Sequence, residues 1–437
     1  MGLATDQRAL LAHIRFGLGR RGEEELPARP ERWLLGQLVG PDPGPAGPDL
    51  ASCLRAIAHD RRERPPRGEA LAPAIRIAEQ RALLDWAVAS ERGFRERLVW
   101  FWANHFTVSL RQGGVGALAG AFVREAIRPH ATGRFADMLL AVMRHPAMLI
   151  YLDNAVSVGP DSLAGARSGR GLNENLAREC LELHTLGRAA PDGAPNYRQA
   201  DVTALAAILT GWSVDINDPV PGFFFRRRAH EPGPKRLLGR EFAEGEQGGV
   251  AALRLLAGHP ATHWHLSGKL ARHFVADAPS PAVVQRIAAV LRETDGDLGA
   301  AAGAIVQMEA AWAPLTKLRT PQDFVIAALR AADLPAERAP PNPAGVVAGL
   351  GQPLWNAPLP DGWADDAGGW AGPEAMLRRI DWSFSLAGRA AGADPQALAQ
   401  AALGPLLRPA TRAAMADAPS RVEAVALLFA SPEFQRR

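Results

Sequence analysis

Apolar residues recur at three- and four-residue spacing through most of the chain, and this period limits what it can fold into more than any other feature. The segments PAIRIAEQRALLDWAVASE, RERLVWFWANHF, GALAGAFVREAI, RFADMLLAVMR and QADVTALAAILTGW each carry one apolar stripe of helical pitch. The expected fold class is mainly α, a single multi-helical globular body spanning residues 1–437. Gly- and Pro-rich breaks fall at 40–49, 61–69, 336–345 and 352–373. They read as surface loops, because the short helices beside them cannot bury their apolar faces alone. Residues 212–239 depart from helix: aromatic and polar side chains alternate around Asn217-Asp218-Pro219, which predicts a small β-hairpin inserted in the body and projecting from it.

Composition narrows the function classes. With 47% hydrophobic residues in 437, there is ample material for a buried core. A net charge of +3 lacks the basic excess of a dedicated nucleic-acid binder. Cys53 and Cys180 are the only cysteines, too few for a disulfide framework or a Cys-rich zinc site. The N-terminal residues never sustain an apolar run, and no run of eighteen apolar residues occurs, so the expectation is a cytoplasmic chain without a transmembrane span.

The densest group of ionisable residues is NENLARECLELHTLG, residues 173–187. A helix capped by Asn173 and stopped by Gly187 places Leu176, Ala177, Cys180, Leu183 and His184 on one face. Asn175, Arg178, Glu179, Glu182 and Thr185 fall on the opposite one. Glu174, Arg178 and Glu182 are spaced for a ladder of surface ion pairs, the commoner use of such a stripe. Against that stands the preceding Gly- and Ser-rich stretch 153–171, longer than most structureless connections. His184, on the apolar side, reads as a packing residue.

Other candidates lie nearby in sequence. FWANHF puts His105 among aromatics. NYRQADV offers Asn196 as a helix cap and aims Asp201 toward the polar helix. Arg226, Arg227, Arg228, His230 and Lys235 cluster on the expected hairpin. Two patterns are set aside: GLGRRG at 17–22 lacks a preceding strand, and HPATHWH, with His259, His263 and His265, lacks the carboxylate of a zinc-protease helix.

NENLARECLELHTLG followed by NYRQADVTALAAILTGW resembles the bacterial family catalogued as domain of unknown function 1800. RFGLG, WFWANHF, HPAMLIYLDN, HEPGPKRLLG, HPAT with KLARHFV, GQPLWNAP with GW, and SPEF match in the same order over nearly the whole chain. The resemblance implies one mainly helical architecture and supports Asn175, Arg178, Glu179, Glu182, Asp201, Trp212, His230 and Lys235 as family motif positions. It also implies a partner of the DUF1501 type, similar to exported alkaline phosphatases, and hence periplasmic co-export as the alternative to the cytoplasm. Histidine is not the family residue at His184, His263 or His265.

The functional expectation is a hydrolase or group-transfer enzyme acting on an anionic or glycan substrate. Glu179, Glu182, His105, Asp201 and His230 are its candidate catalytic residues, and Asn175, Arg178, Lys235 and Trp212 its candidate substrate-binding residues. A divalent metal on Glu179, Glu182 and a histidine is compatible with the pattern. The alternative is a non-enzymatic partner or maturation factor for an exported DUF1501-type protein.

Overall fold

Proline, which breaks helix interiors, here starts helices: Pro30, Pro146, Pro260, Pro281, Pro321, Pro343, Pro373, Pro395 and Pro409 each open one. The fixed φ of the ring suits the first helical position, where its missing N–H is no loss. Twice the preceding residue is a histidine whose Nδ1 accepts from the second helical N–H, His145 from Ala147 and His259 from Ala261, both at 3.1 Å. In a computed structural model of the chain, residues 5–66, 68–169, 171–217 and 219–437 are described. Among them are 21 α-helices and four short strands, so the chain is mainly α. One contiguous cluster of buried apolar side chains runs from Leu10 to Phe434. No described helix is long and apolar enough to cross a membrane.

The expected single hairpin is two. Trp212–Asp215 pairs antiparallel with Gly222–Phe225, and Lys235–Leu237 with Arg240–Phe242. Leu238 and Gly239 join the second pair with φ of 48° and 76°, the two positive values of a tight hairpin turn. Asp218, within the turn expected for the first pair, lies outside the described residues. Both are anchored in the helical body at one fully buried residue. Trp212 and Leu237 are completely buried, because their apolar area is worth more against the helices than in water. A Cβ on Gly249 would come within 2.6 Å of the Trp212 ring, so only glycine lets helix Glu246–Ala257 lie against it.

The segment 173–187 also departs from expectation. Its α-helix covers only Asn175–Glu179, and the next turn, Cys180–His184, is a wider π turn. The extra residue per turn rotates the chain beyond it, so Thr185, counted onto the polar face, is fully buried and donates to the Cys180 carbonyl at 2.6 Å. Gly187 ends the segment at φ 74° as its type predicts. Residues 153–171 are not structureless: Ser162 caps a short helix, Leu163–Ser168, by accepting from Gly165 N at 3.0 Å. The helix after Asn196 starts two residues late, at Gln199, with Arg198 as its cap.

Candidate functional site

The same helical period that builds the core turns two ionisable faces toward one space. Helix Gly93–His105 presents Arg97, Phe101 and His105, and helix Pro260–Phe274 presents His265, Lys269 and His273, each set at i, i+4, i+8. Between them lies a cavity of about 470 Å³, within the range of small-molecule sites. The loop 352–366 closes another side with Trp355, Asp361, Trp363 and Asp365, and Asp323 and Arg437 form the floor.

π turns orient the wall. Widening the helix at Cys180–His184 leaves two carbonyls free at its end: Leu183 accepts from His265 Nε2 at 2.9 Å and His184 from His105 Nε2 at 3.1 Å. A second π turn, Ala12–Phe16, ends at Gly17, whose carbonyl accepts from Arg97 Nε at 2.8 Å and Nη2 at 2.6 Å. A carbonyl accepts only, so the protons of His105 and His265 sit on Nε2. Burial, with help from nearby Lys269, holds His105 neutral well below the usual histidine range and brings His265 down to about 4. Nδ1 of His105 is then a bare acceptor, and it is buried without a hydrogen-bond partner.

His273 and Asp365 make the sharpest pair. His273 Nδ1 donates to Asp365 Oδ2 at 2.7 Å, which leaves Nε2 bare, buried and unpartnered. Burial outweighs the attraction of Asp365 and lowers His273 to about 4. For Asp365 the balance is reversed: burial pushes it up, but His273, Lys317 and Arg437 hold it down at about 2. A carboxylate that fixes an imidazole with its other nitrogen free is the arrangement of an oriented general base.

Lys269 stands one turn before His273. Among the described residues nothing hydrogen-bonds or pairs with its ammonium, and burial lowers it to about 8 despite Asp361 and Asp365 nearby. Beneath it the floor is a buried ion cluster. Asp323 accepts from Arg97 Nη1 at 3.2 Å and Nη2 at 2.8 Å, and lies 2.9 Å from Arg437 Nε. Arg437 Nη1 is buried with no partner.

A family model described as protein of unknown function (DUF1800) matches residues 11–436. The chain belongs to this family. No curated protein and no solved structure matches it.

In this DUF1800 protein the residues singled out from sequence separate into groups. His105 lines the cavity. Glu179 is half-buried and, among the described residues, makes no hydrogen bond or ion pair. Burial first, then Glu182 and Asp361, raise its pKa, and Glu179 and Asp361 in turn help burial push Tyr151 up to about 12, so these groups sit together beside the cavity. Glu182 is engaged elsewhere, with Tyr197 Oη at 3.0 Å and Arg188 Nε at 2.5 Å. Arg178 bridges Glu174 and Gln199 at 2.9 and 3.1 Å, and Asn175 is exposed. The expected ladder is thus one pair, Glu174 with Arg178. Among the described residues no three His, Cys, Asp or Glu side chains are grouped to hold a metal ion, so Glu179, Glu182 and a histidine do not form the set the pattern allowed.

Asp201, His230, Lys235 and Trp212 hold the two hairpins to the body instead of lining the cavity. Asp201 accepts from Arg198 N and Leu238 N, both at 2.9 Å, tying a helix start to a hairpin turn. His230 Nδ1 meets the Thr210 carbonyl at 2.8 Å, its Nε2 accepts from Gly245 N at 2.9 Å, and Lys235 Nζ donates to the Glu231 carbonyl. Replacing Asp201 by alanine is expected to cost about 0.5–2 kcal/mol, the usual loss of a capping hydrogen bond at a helix start, with ligand binding in the cavity unchanged. A urea titration and a binding curve on the same preparation check both halves.

Sequence reasoning missed Lys269, His273, Asp361 and Asp365, and set His265 aside. One signal was available. Of 49 basic residues only Lys235, Lys269 and Lys317 are lysine. In a chain that otherwise uses arginine, Lys269 stands out as a compact, titratable amine, unlike a guanidinium in both respects.

Proposed function

We propose that the protein is an enzyme that carries out acid–base hydrolysis or group transfer on a small anionic or glycan molecule held in the cavity beneath loop 352–366. The observation that carries this reading is the His273–Asp365 pair at 2.7 Å in the cavity wall, with the second imidazole nitrogen buried and unpartnered and the unpaired Lys269 on the same wall. His273 rests neutral at pH 7 and is the proton acceptor; Asp365 stabilises the imidazolium that forms. Arg437 and Lys269 supply positive charge for an anionic group, and Trp355 and Trp363 supply flat apolar faces of the kind that pack on sugar rings. Burial makes Glu179 hold its proton more tightly, which suits it to the role of proton donor.

The test is a mixed pool of sugar phosphates, short organic acids and oligosaccharides, incubated with wild type and with His273→Gln and followed by mass spectrometry. Wild type is expected to consume one class. His273→Gln is expected to bind that class, seen as a raised melting temperature, while its turnover falls by about 10²–10⁴. Consumption at equal rates by both proteins, or no binding by either, overturns the reading.

The non-enzymatic alternative, a partner for an exported DUF1501-type protein, has one observation in its favour. Leu377, Ile380 and Phe384 lie on one face of helix Pro373–Arg389 and are 61%, 36% and 45% exposed, an apolar stripe suited to a protein contact. On the enzyme reading the compartment is the cytoplasm; on this one it is the periplasm.

A further inference from the structure

Three groups in the cavity have capacity to spare. Lys269 Nζ has no hydrogen bond or ion pair among the described residues, and its side chain is partly buried in the cavity wall. Arg437, 1% exposed, leaves Nη1 without a partner. His273 leaves Nε2 bare. Unsatisfied buried polar atoms are costly; His273 Nε2, Arg437 Nη1 and His105 Nδ1 are three in one cavity, and with the unpaired amine of Lys269 beside them they point to a ligand that completes the set.

Their placement says which kind. Lys269 and His273 are one helical turn apart, roughly 6 Å along the axis. His273 is bonded to Asp365, and Asp365 Oδ1 lies 3.8 Å from Arg437 Nη2. Amine, base and guanidinium therefore run in order along one wall, a short molecule's length from end to end. A guanidinium at one end of that run recognises carboxylate or phosphate. An amine at the other end, with a bare base beside it, is equipped to react with a carbonyl carbon.

We infer that Lys269 condenses with the carbonyl group of a small anionic compound, a 2-oxo acid or a phosphorylated aldehyde or ketone, whose anionic group sits on Arg437. This rests on the cavity being the site of action. The lowered affinity of the amine for its proton keeps a usable neutral fraction near neutral pH. Nζ adds to the carbonyl carbon, forming the C–N bond while the C–O π bond breaks. Both amine protons pass, by way of His273, to the former carbonyl oxygen. That oxygen leaves as water and a C=N bond remains; nothing is oxidised or reduced. Asp365 keeps His273 oriented through both transfers.

The experiment is trapping with sodium borohydride, which reduces the imine to a stable secondary amine. Wild type is treated with glyoxylate, pyruvate, glycolaldehyde phosphate or neutral glycolaldehyde, and the product is read by intact mass and peptide mapping. The expected result is an adduct on Lys269, at least ten-fold more abundant with an anionic compound than with glycolaldehyde, and absent in Lys269→Arg. Preference for the oxo acids or for the phosphate identifies which anion the site takes. Arg437→Gln is expected to remove the ten-fold preference. If that variant does not fold, competition by acetate or inorganic phosphate on wild type reads the same contact, and undiminished trapping overturns the role of Arg437. Adducts spread over other lysines, or equal in Lys269→Arg, overturn the proposal. A compound that raises the melting temperature yet leaves no adduct overturns the covalent step and leaves the cavity reading standing. No adduct and no change in melting temperature for any compound overturns both.

Discussion

Asp323→Ala is expected to destabilise the protein by about 3–5 kcal/mol, the cost of leaving buried cations without their counter-charge. Asp323 is 3% exposed and sits in the first turn of helix Pro321–Ala332, where Thr320 is the cap. Burial alone would push its carboxyl up, but Arg97, Arg437 and Arg319 together hold it far below the usual range. Removing it leaves Arg97 and Arg437 facing each other with no anion between them. Against a typical stability of about 5–15 kcal/mol this is a large fraction. The lowered value sets the sign of the pH dependence. As pH falls through the ordinary carboxylate range the unfolded chain takes up the proton first, so the contribution of Asp323 is intact above that range and is lost toward its folded value. Urea midpoints from pH 7 down to 3 are the measurement. Wild type should lose stability on acidification faster than the variant does, and a variant within 1 kcal/mol of wild type at pH 7 would show that the floor cluster contributes little.

Lys269→Met is expected to move stability and function in opposite directions. Turnover of the molecule that wild type consumes should fall by about 10²–10⁴, the usual effect of removing a group positioned at the reacting atoms. Stability at pH 7 should rise. The amine titrates at about 8 when folded against 10.5 when free, so the folded state holds its proton less tightly than the unfolded state does. Between those values the unfolded chain binds more protons and wild-type stability climbs with pH; below pH 8 the full penalty is present. Discounted for the partial exposure of the side chain, the gain from methionine is about 1–3 kcal/mol. It should shrink as pH rises from 8 toward 10.5. Chemical denaturation at pH 7, 9 and 10.5 measures it, and a variant less stable than wild type at pH 7 would mean that Lys269 is a structural ion pair and not a poised amine.

Some of the candidate site is legible without the fold. FWANHF singles out His105, which lines the cavity, and the polar stripe singles out Glu179, which lies beside it. Both sit on helices whose period assigns their faces. The same count puts Glu182 on the face of Glu179, but the π turn at Cys180–His184 turns it toward Tyr197 and Arg188. A count at 3.6 residues per turn cannot register that turn, because its hydrogen bonds skip five residues instead of four. Asp201, His230 and Lys235 look the same in sequence whether they meet a substrate or hold a hairpin. Their partners, Leu238 N, the Thr210 carbonyl and the Glu231 carbonyl, are backbone atoms that carry no residue-type signal.

The amino-acid sequence by itself determined the mainly helical class, the positions where proline and glycine start and stop helices, and which face of each long helix is apolar. All of these come from local rules: a backbone period, the fixed φ of proline, the freedom of glycine at positive φ. Only the tertiary structure decided the cavity. Arg97 and Asp323 are 226 residues apart in the chain, and His273 and Asp365 are 92 apart. Pairs at such separations meet because burying the core brings their helices together, and once buried a charge must find its partner or shift its proton affinity. That requirement, imposed by packing and written in no short stretch of sequence, left Lys269 and His273 among the groups of the cavity with a free nitrogen.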